Sequence, residues 1–85
     1  MKPADVAAKV KKELSSLTGL APDTVSSIEK TENDWKVVLE MVEMVRIPNS
    51  SDMLGTYVTQ ADDRGELVSY HRTRRYLRAE SMEER

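Results

Sequence analysis

The 85-residue chain contains no cysteine and no phenylalanine, and it has only one histidine and three glycines. Without cysteine the chain forms neither a disulfide nor a thiolate zinc site, which is compatible with a reducing compartment such as the cytoplasm. A single histidine does not supply the several ligands that a metal centre needs, and three glycines do not form a phosphate-binding loop. We therefore expect no metal, no cofactor and no catalytic residues.

Long hydrophobic runs are also missing. No apolar segment approaches the roughly 18 residues of a membrane span, and residues 1–5 lack the apolar stretch of a signal peptide. The 13 basic and 15 acidic residues give a formal net charge of −2, so the overall field does not attract nucleic acid or a membrane. A chain of this length makes one domain, residues 1–85, with a small core.

The N-terminal segment predicts an amphipathic helix over residues 3–18. Its apolar residues recur at spacings of four, four and three, as they do when one helix face is buried. Pro3 suits the first turn, and Gly19 is placed to end the helix in a left-handed conformation. The predicted buried face consists of Val6, Val10, Leu14 and Leu17.

The rest of the chain predicts strands at about 24–31, 35–46, 53–61 and 66–77. In the second strand, one face is apolar by period-two alternation, and we expect this face to contact the helix. The other face mixes valine with charged residues, which indicates either partial cover on both sides or a bulge near Glu43. A helix is the competing interpretation of 35–46, but the valine content disfavours it. The residues of the apolar face are Trp35, Val37, Leu39 and Met41.

These elements predict an α+β fold, in which the N-terminal amphipathic helix packs on a three- to four-stranded antiparallel β-meander. The segment Asp62-Asp63-Arg64-Gly65 predicts a hairpin turn, with Gly65 available for a positive φ. The register of this last hairpin stays open, because a change of one residue in loop length places Tyr57 opposite either Tyr70 or His71.

Side chains that carry chemistry are few and isolated in the sequence. His71 is interpreted as an ordinary strand residue, and Asp62 with Asp63 as part of a turn, because the spaced oxygen ligands of a calcium loop are absent. Glu40 and Glu43 are interpreted as a solvated or edge-facing part of their strand. No serine has a neighbour that would activate it as a nucleophile, so nothing in the sequence suggests an enzyme.

The last predicted strand is rich in arginine. Residues 64–78 hold five arginines and one acidic residue, whereas residues 29–52 hold six acidic and three basic residues. This asymmetry favours either docking to another surface or neutralisation between two strands of one sheet. By alternation, Arg72, Arg74 and Arg78 share a face with two tyrosines, Tyr70 and Tyr76, and Arg75 points the other way.

Arginine interleaved with tyrosine is typical of protein interfaces and also suits stacking on single-stranded RNA. Three interpretations stay open, in decreasing order of preference: a solvated or internally paired surface, a protein interface, and a nucleic-acid surface. The candidate protein-interaction residues are Arg72, Arg74, Arg75, Tyr76 and Arg78.

Several segments over roughly residues 14–78 are distinctive in their order and spacing. They include Leu17-Thr18-Gly19, Thr31-Glu32-Asn33-Asp34-Trp35-Lys36-Val37, Asp52-Met53-Leu54-Gly55-Thr56-Tyr57 and Arg72-Thr73-Arg74-Arg75-Tyr76. Together these segments closely resemble the gas vesicle protein O family. Gas vesicles are gas-filled protein shells that give prokaryotic cells buoyancy. The resemblance implies a cytoplasmic, non-enzymatic accessory protein associated with gas vesicles, and it brings no catalytic or cofactor residues.

On this resemblance we expect the protein to bind other gas vesicle proteins, either accessory or shell proteins, during assembly. The alternatives are a regulatory nucleic-acid-binding protein acting on gas vesicle gene expression and a minor structural component of the vesicle. A homodimer stays open, and no membrane partner is expected. Members of the family often carry a charged N-terminal extension, so we expect either a short member or a chain from which an extension has been removed.

Overall fold

The computed structural model describes residues 2–48 and 51–83, the last three without their side chains. Four strands form one antiparallel sheet in the chain order β1-β2-β3-β4, and a helix precedes them. The predicted α+β fold, a helix followed by an antiparallel meander, is confirmed. The elements are α1 (Pro3–Thr18), β1 (Ala21–Lys30), β2 (Trp35–Met44), β3 (Met53–Ala61), β4 (Leu67–Leu77) and α2 (Arg78–Glu83).

Helix α1 buries three of its four predicted core residues. Val6, Val10 and Leu14 are fully buried, but Leu17 is 65% exposed, so its assignment to the core is wrong. The helix ends one residue later, at Thr18, and Gly19 takes the expected left-handed conformation with a φ of 74°. Because the chain turns away there, Leu20 packs against the core and Leu17 stays in solvent.

The sheet face toward α1, called the helix-side face, carries the core. All four predicted residues of β2, from Trp35 to Met41, are buried there. On β3, Tyr57 and Ala61 complete the apolar cluster, and the buried Thr59 hydroxyl donates to the Val37 carbonyl at 2.7 Å. The opposite face, called the open face, has no helix packed across it among the described residues.

Irregularities in the strands decide where several side chains point. The register between β2 and β3 shifts between Val42 and Met44, so the bulge near Glu43 is observed. Strand β1 starts at Ala21, three residues earlier than predicted, and includes Pro22. An edge strand tolerates this proline because its missing N–H is not needed for the ladder.

The last hairpin turns at Asp62 to Glu66, where the Asp62 N–H donates to the Glu66 carbonyl at 2.9 Å and Gly65 has a φ of 80°. Hydrogen bonds from the N–H groups of Glu66 and Arg64 hold the pKa of the Asp62 carboxyl below its usual value. Tyr57 lies opposite Arg72, so neither predicted register is right. The reason is that the ladder shifts twice, leaving Val68 and Thr73 as extra residues in β4.

Candidate protein-interaction surface on strand β4

Strand β4 lies at the edge of the sheet, and its residues 68–75 are all exposed. The extra residue at Thr73 interrupts the alternation of its side chains. Arg72 pairs with Tyr57 and therefore lies on the helix-side face, whereas Arg74 pairs with Thr56 on the open face. The prediction that Arg72 and Arg74 share a face is wrong: Arg72 lies with Arg75, and Arg74 lies with Tyr76.

On the helix-side face, one carboxylate holds two arginines. Glu43 accepts hydrogen bonds from Arg72 Nη1 at 3.1 Å and from the Tyr57 hydroxyl at 2.9 Å, and Arg75 Nε lies 2.9 Å from its Oε1. The Glu43 side chain is 9% exposed, against 44% for Arg72 and 48% for Arg75. Interpreting Glu43 as solvated is therefore wrong, because the bulge in β2 turns it onto the arginines of β4.

Gly55 makes room for this carboxylate. A Cβ atom at position 55 would overlap Glu43 Oε2 and would lie 3.0 Å from the Tyr57 ring. Burial, and then the hydrogen bond to the Glu43 carboxylate, raise the pKa of the Tyr57 hydroxyl above its ordinary value. Tyr70 extends the aromatic surface on this face, with its ring centroid 6.3 Å from that of Tyr57.

On the open face, a second carboxylate organises the end of β4. Glu40 accepts hydrogen bonds from the hydroxyls of Tyr76 and Thr56, both at 2.6 Å, and from the hydroxyl of Ser26. Burial and the Glu40 carboxylate raise the pKa of Tyr76 well above its ordinary value. Glu40 is thus a half-buried anchor of β2 to both neighbouring strands, which corrects its interpretation as a solvated residue.

Arg74 lies over the ring of Tyr76, with its guanidinium carbon 4.5 Å from the ring centroid. Attraction between a cation and the face of an aromatic ring holds this guanidinium against the sheet. Within the described part of the chain, Arg74 has no carboxylate within ion-pair distance.

Arg78 is the first residue of α2 and pairs with two carboxylates of the same molecule. Its Nη2 lies 3.1 Å from Asp23 Oδ1 and 3.4 Å from Asp52 Oδ2. Asp52 is 5% exposed and also accepts the Arg46 N–H at 2.8 Å, so it closes the connection between β2 and β3. Of the five candidate residues, Tyr76 is the most buried, at 7% exposed, and Arg78 is the arginine that pairs with two carboxylates.

Arg72, Arg74, Arg75 and Tyr76 are hereafter called the arginine surface. Arg72 and Arg75 share one carboxylate, Glu43, and Arg74 has no ion-pair partner in the described residues, so the three guanidiniums exceed their carboxylate partner by two charges. The sequence did not identify Glu43 as the anchor of Arg72 and Arg75, or Asp52 as a partner of Arg78. The available signal was the acidic excess over residues 29–52 beside the basic excess over residues 64–78.

The described residues give little support for a metal site or a membrane span. They contain no group of three or more histidine or acidic side chains arranged to hold a metal ion. They also contain no helix with the length and hydropathy needed to cross a membrane. His71 is exposed on the open face, where it pairs with Val58 in the ladder.

The structure is that of a small α+β domain, in which one helix packs on a four-stranded antiparallel sheet with an arginine-rich strand at its edge. The model of the family described as gas vesicle synthesis protein GvpO matches residues 1–82, and the chain belongs to this family. The predicted resemblance to gas vesicle protein O is thus confirmed, and membership implies involvement in gas vesicle formation. The family is one of gas vesicle accessory proteins and is not a known enzyme family.

Three relatives support this membership. Gas vesicle protein O of Streptomyces sp. (strain CB03234) is 41% identical over 69 residues, covering 81% of this chain and 54% of that protein. Gas vesicle protein O1 of Halobacterium salinarum is 32% identical, covering 66% and 47%, and gas vesicle protein O of Haloferax mediterranei is 33% identical, covering 71% and 44%. The chain spans about half the length of these relatives. No solved structure matches it.

Proposed function

We propose that this chain is a non-enzymatic accessory protein that acts in the cytoplasm and binds other gas vesicle proteins while gas vesicles are assembled. The observation that carries the proposal is the arginine surface, where three arginines on an exposed strand have one carboxylate partner, Glu43, among the described residues. Such a surface attracts acidic segments and rejects basic ones, which gives a partner specificity and fixes its orientation.

The surface is held in place before any partner arrives. Glu43 fixes Arg72 and Arg75 to the bulge of β2, and the Tyr76 ring supports Arg74. Side chains that are already ordered lose less conformational entropy on binding, so more of the interaction free energy appears as affinity. The planar guanidinium also keeps free N–H groups for a partner carboxylate after its first ion pair is made.

A regulatory nucleic-acid-binding function has weaker support. Binding to a duplex usually neutralises several phosphates, and its affinity rests on that neutralisation. This chain carries a net charge of −2, and Arg72, Arg75 and Arg78 already have acidic partners. Charge on this scale fits the side chains of a protein segment better than a phosphate backbone.

The test is complementation of cells that lack their own copy of the gene. Arg74→Glu reverses a charge that has no carboxylate partner in the described residues, and we expect gas vesicles to be lost although the variant folds. Arg64→Glu makes the same change of net charge at the exposed turn of the last hairpin, away from the arginine surface, and we expect normal vesicles.

Normal vesicle formation with a folded Arg74→Glu variant would contradict the proposal. Circular dichroism of the purified variant establishes that it is folded, and Arg74→Gln serves if the glutamate variant does not fold. Arg72→Glu is a poorer choice, because it would place a new carboxylate beside Glu43 and destabilise the sheet itself.

A further inference from the structure

We propose that the outer edge of β4 adds a further strand, and that this strand is an extended acidic segment of a partner protein. The inference rests on the proposed function and gives it a mode of binding. A strand at a sheet edge presents unpaired N–H and C=O groups, and an extended peptide can continue the ladder there.

The pattern of hydrogen bonds shows which groups of β4 point outward. Asp62 pairs with Glu66 at one end of the β3–β4 ladder, and Asp52 pairs with Arg78 at the other, both at 2.9 Å. Antiparallel ladders alternate between hydrogen-bonded and non-hydrogen-bonded pairs. This alternation can be followed along β4 from either end, with one extra residue skipped at each of the two register shifts. Both directions place the backbone N–H groups of Tyr70, Arg72 and Arg75 on the side away from β3.

Carboxylates already occupy both ends of this outer edge. The Leu67 N–H donates to Glu13 Oε2 of α1 at 3.1 Å, and the Leu77 N–H donates to Glu80 Oε1 of α2 at 3.3 Å. By the same alternation, the N–H groups of Leu67 and Leu77 face away from β3. Between them, residues 68–76 have no comparable contact on the outer side among the described residues, so this stretch is the open part of the edge.

The other edge of the sheet is less suited to strand addition. Strand β1 contains Pro22, which lacks an N–H group, and proline is one of the usual means by which proteins protect an edge. Both edge strands carry two register shifts, so bulges do not distinguish them. Helix α1 packs more extensively against β1 than against β4. Strand β4 contains no proline and is exposed along residues 68–75.

The charges of β4 determine the chemistry of its occupant. A second copy of this chain would set one row of arginines against another, and like charges opposite each other are destabilising. An acidic strand meets Arg72 and Arg75 on the helix-side face and Arg74 on the open face. The arginines thus discourage self-pairing and favour an acidic partner through the same charges.

The first experiment uses a synthetic peptide of alternating glutamate and valine with blocked ends, and a lysine–valine peptide of the same length as control. We expect the acidic peptide to bind the whole chain and the basic peptide not to bind. Amide hydrogen exchange on the complex should slow at Tyr70, Arg72 and Arg75. Binding of both peptides alike, or binding of the acidic peptide without slowed exchange at these residues, would overturn the inference.

A pair of variants separates backbone pairing from side-chain contact. Tyr70→Ala removes the ring and keeps the outward N–H, whereas Tyr70→Pro removes both while leaving the inner ladder intact. We expect Tyr70→Pro to bind the acidic peptide at least about tenfold more weakly than Tyr70→Ala. Equal affinities of the two variants would contradict strand addition. The hydrogen-exchange result decides the matter if the proline variant does not fold.

The outcomes distinguish this inference from the proposed function. If Arg74→Glu abolishes vesicles but Tyr70→Pro binds the peptide as Tyr70→Ala does, the arginine surface binds partners without strand addition, and the inference is wrong. If Arg74→Glu supports normal vesicles, the proposed function is wrong. Concentration-dependent dimers in sedimentation experiments that dissociate in Tyr70→Pro, or tight binding of a single-stranded RNA at this edge, would also overturn the acidic-segment inference.

Discussion

Two glutamates of β2 determine what the arginine surface looks like. Glu43 lies on the helix-side face and holds Arg72 and Arg75, while Glu40 lies on the open face and holds Tyr76. Neither glutamate is fully exposed. Hydrogen bonds to charged groups contribute more to stability than hydrogen bonds between neutral groups. These carboxylates therefore both stabilise the sheet and hold its arginines in position.

The fit of Glu43 over Gly55 leads to a first prediction. In Gly55→Ala the new methyl group displaces the Glu43 carboxylate and weakens its bonds to Tyr57, Arg72 and Arg75. We expect a loss of about 1–3 kcal/mol in the free energy of unfolding, measured with urea. In a Glu43→Ala background the same substitution should cost much less, and an undiminished cost there would show that the carboxylate is not the obstacle.

The raised pKa of Tyr76 makes stability depend on alkaline pH. Above the ordinary value of 10.0 the unfolded chain loses the Tyr76 proton, while the folded chain keeps it. The folded state then binds more protons, so the free energy of unfolding falls as the pH rises from about 10 toward the folded-state pKa. Urea unfolding at a series of alkaline pH values measures this fall.

The Tyr76→Phe variant is the control for this effect. Because it lacks the hydrogen bond to Glu40, its free energy of unfolding at neutral pH should be about 1 kcal/mol lower than that of the wild type. Its free energy of unfolding should then fall less steeply as the pH rises into the alkaline range. The raised pKa of Tyr57 leaves part of the decline in place. An identical alkaline slope in the wild type and in Tyr76→Phe would contradict the role assigned to Tyr76.

At the scale of elements, the packing of α1 on β2 provides most of the core. Leu14 and Leu39 are fully buried and belong to one apolar cluster. Replacing either with alanine should reduce the free energy of unfolding by about 2–5 kcal/mol, since a large-to-small change leaves a cavity. Urea unfolding of the two variants checks this expectation.

Leu17→Ala is a matched control on the same helix. Because Leu17 is 65% exposed, the change should alter the free energy of unfolding by less than about 0.5 kcal/mol. A loss for Leu17→Ala comparable to that for Leu14→Ala would mean that the last turn of α1 packs on the sheet after all.

The elements also show how far sequence patterns reach. Period-two alternation identified the buried face of β2, where Trp35 to Met41 is regular, and helical spacing identified Val6, Val10 and Leu14. Alternation failed in β4 because Val68 and Thr73 are extra residues, and each extra residue moves those that follow it to the other face. The assignment of Leu17 to the core was wrong because periodicity does not show where a helix leaves the sheet.

The candidate site, too, has features that the sequence predicts and features that it does not. The residue types were predictable from composition, since arginine and tyrosine are concentrated in residues 70–78. Their partners were not, because the pairing of Glu43 with Arg72 and Arg75 depends on the bulge of β2 and on the absence of a side chain at Gly55. Such contacts join residues far apart in sequence and depend on register, which sequence patterns did not establish here.

At the scale of the whole molecule, charge is distributed so that a nearly neutral chain keeps a positive edge. The net charge is −2, but the three guanidiniums of the arginine surface exceed their one carboxylate partner in the described residues by two charges. Within a family involved in gas vesicle formation, such an edge supports the proposal that the chain binds other gas vesicle proteins.

The most direct test is co-purification from vesicle-forming cells with tagged wild type, Arg74→Glu and Arg64→Glu, followed by identification of bound proteins by mass spectrometry. Our account predicts that other gas vesicle proteins co-purify with the wild type and with Arg64→Glu, and that Arg74→Glu loses them while remaining folded. Equal recovery of those proteins with Arg74→Glu, or their absence from the wild-type sample, would contradict it.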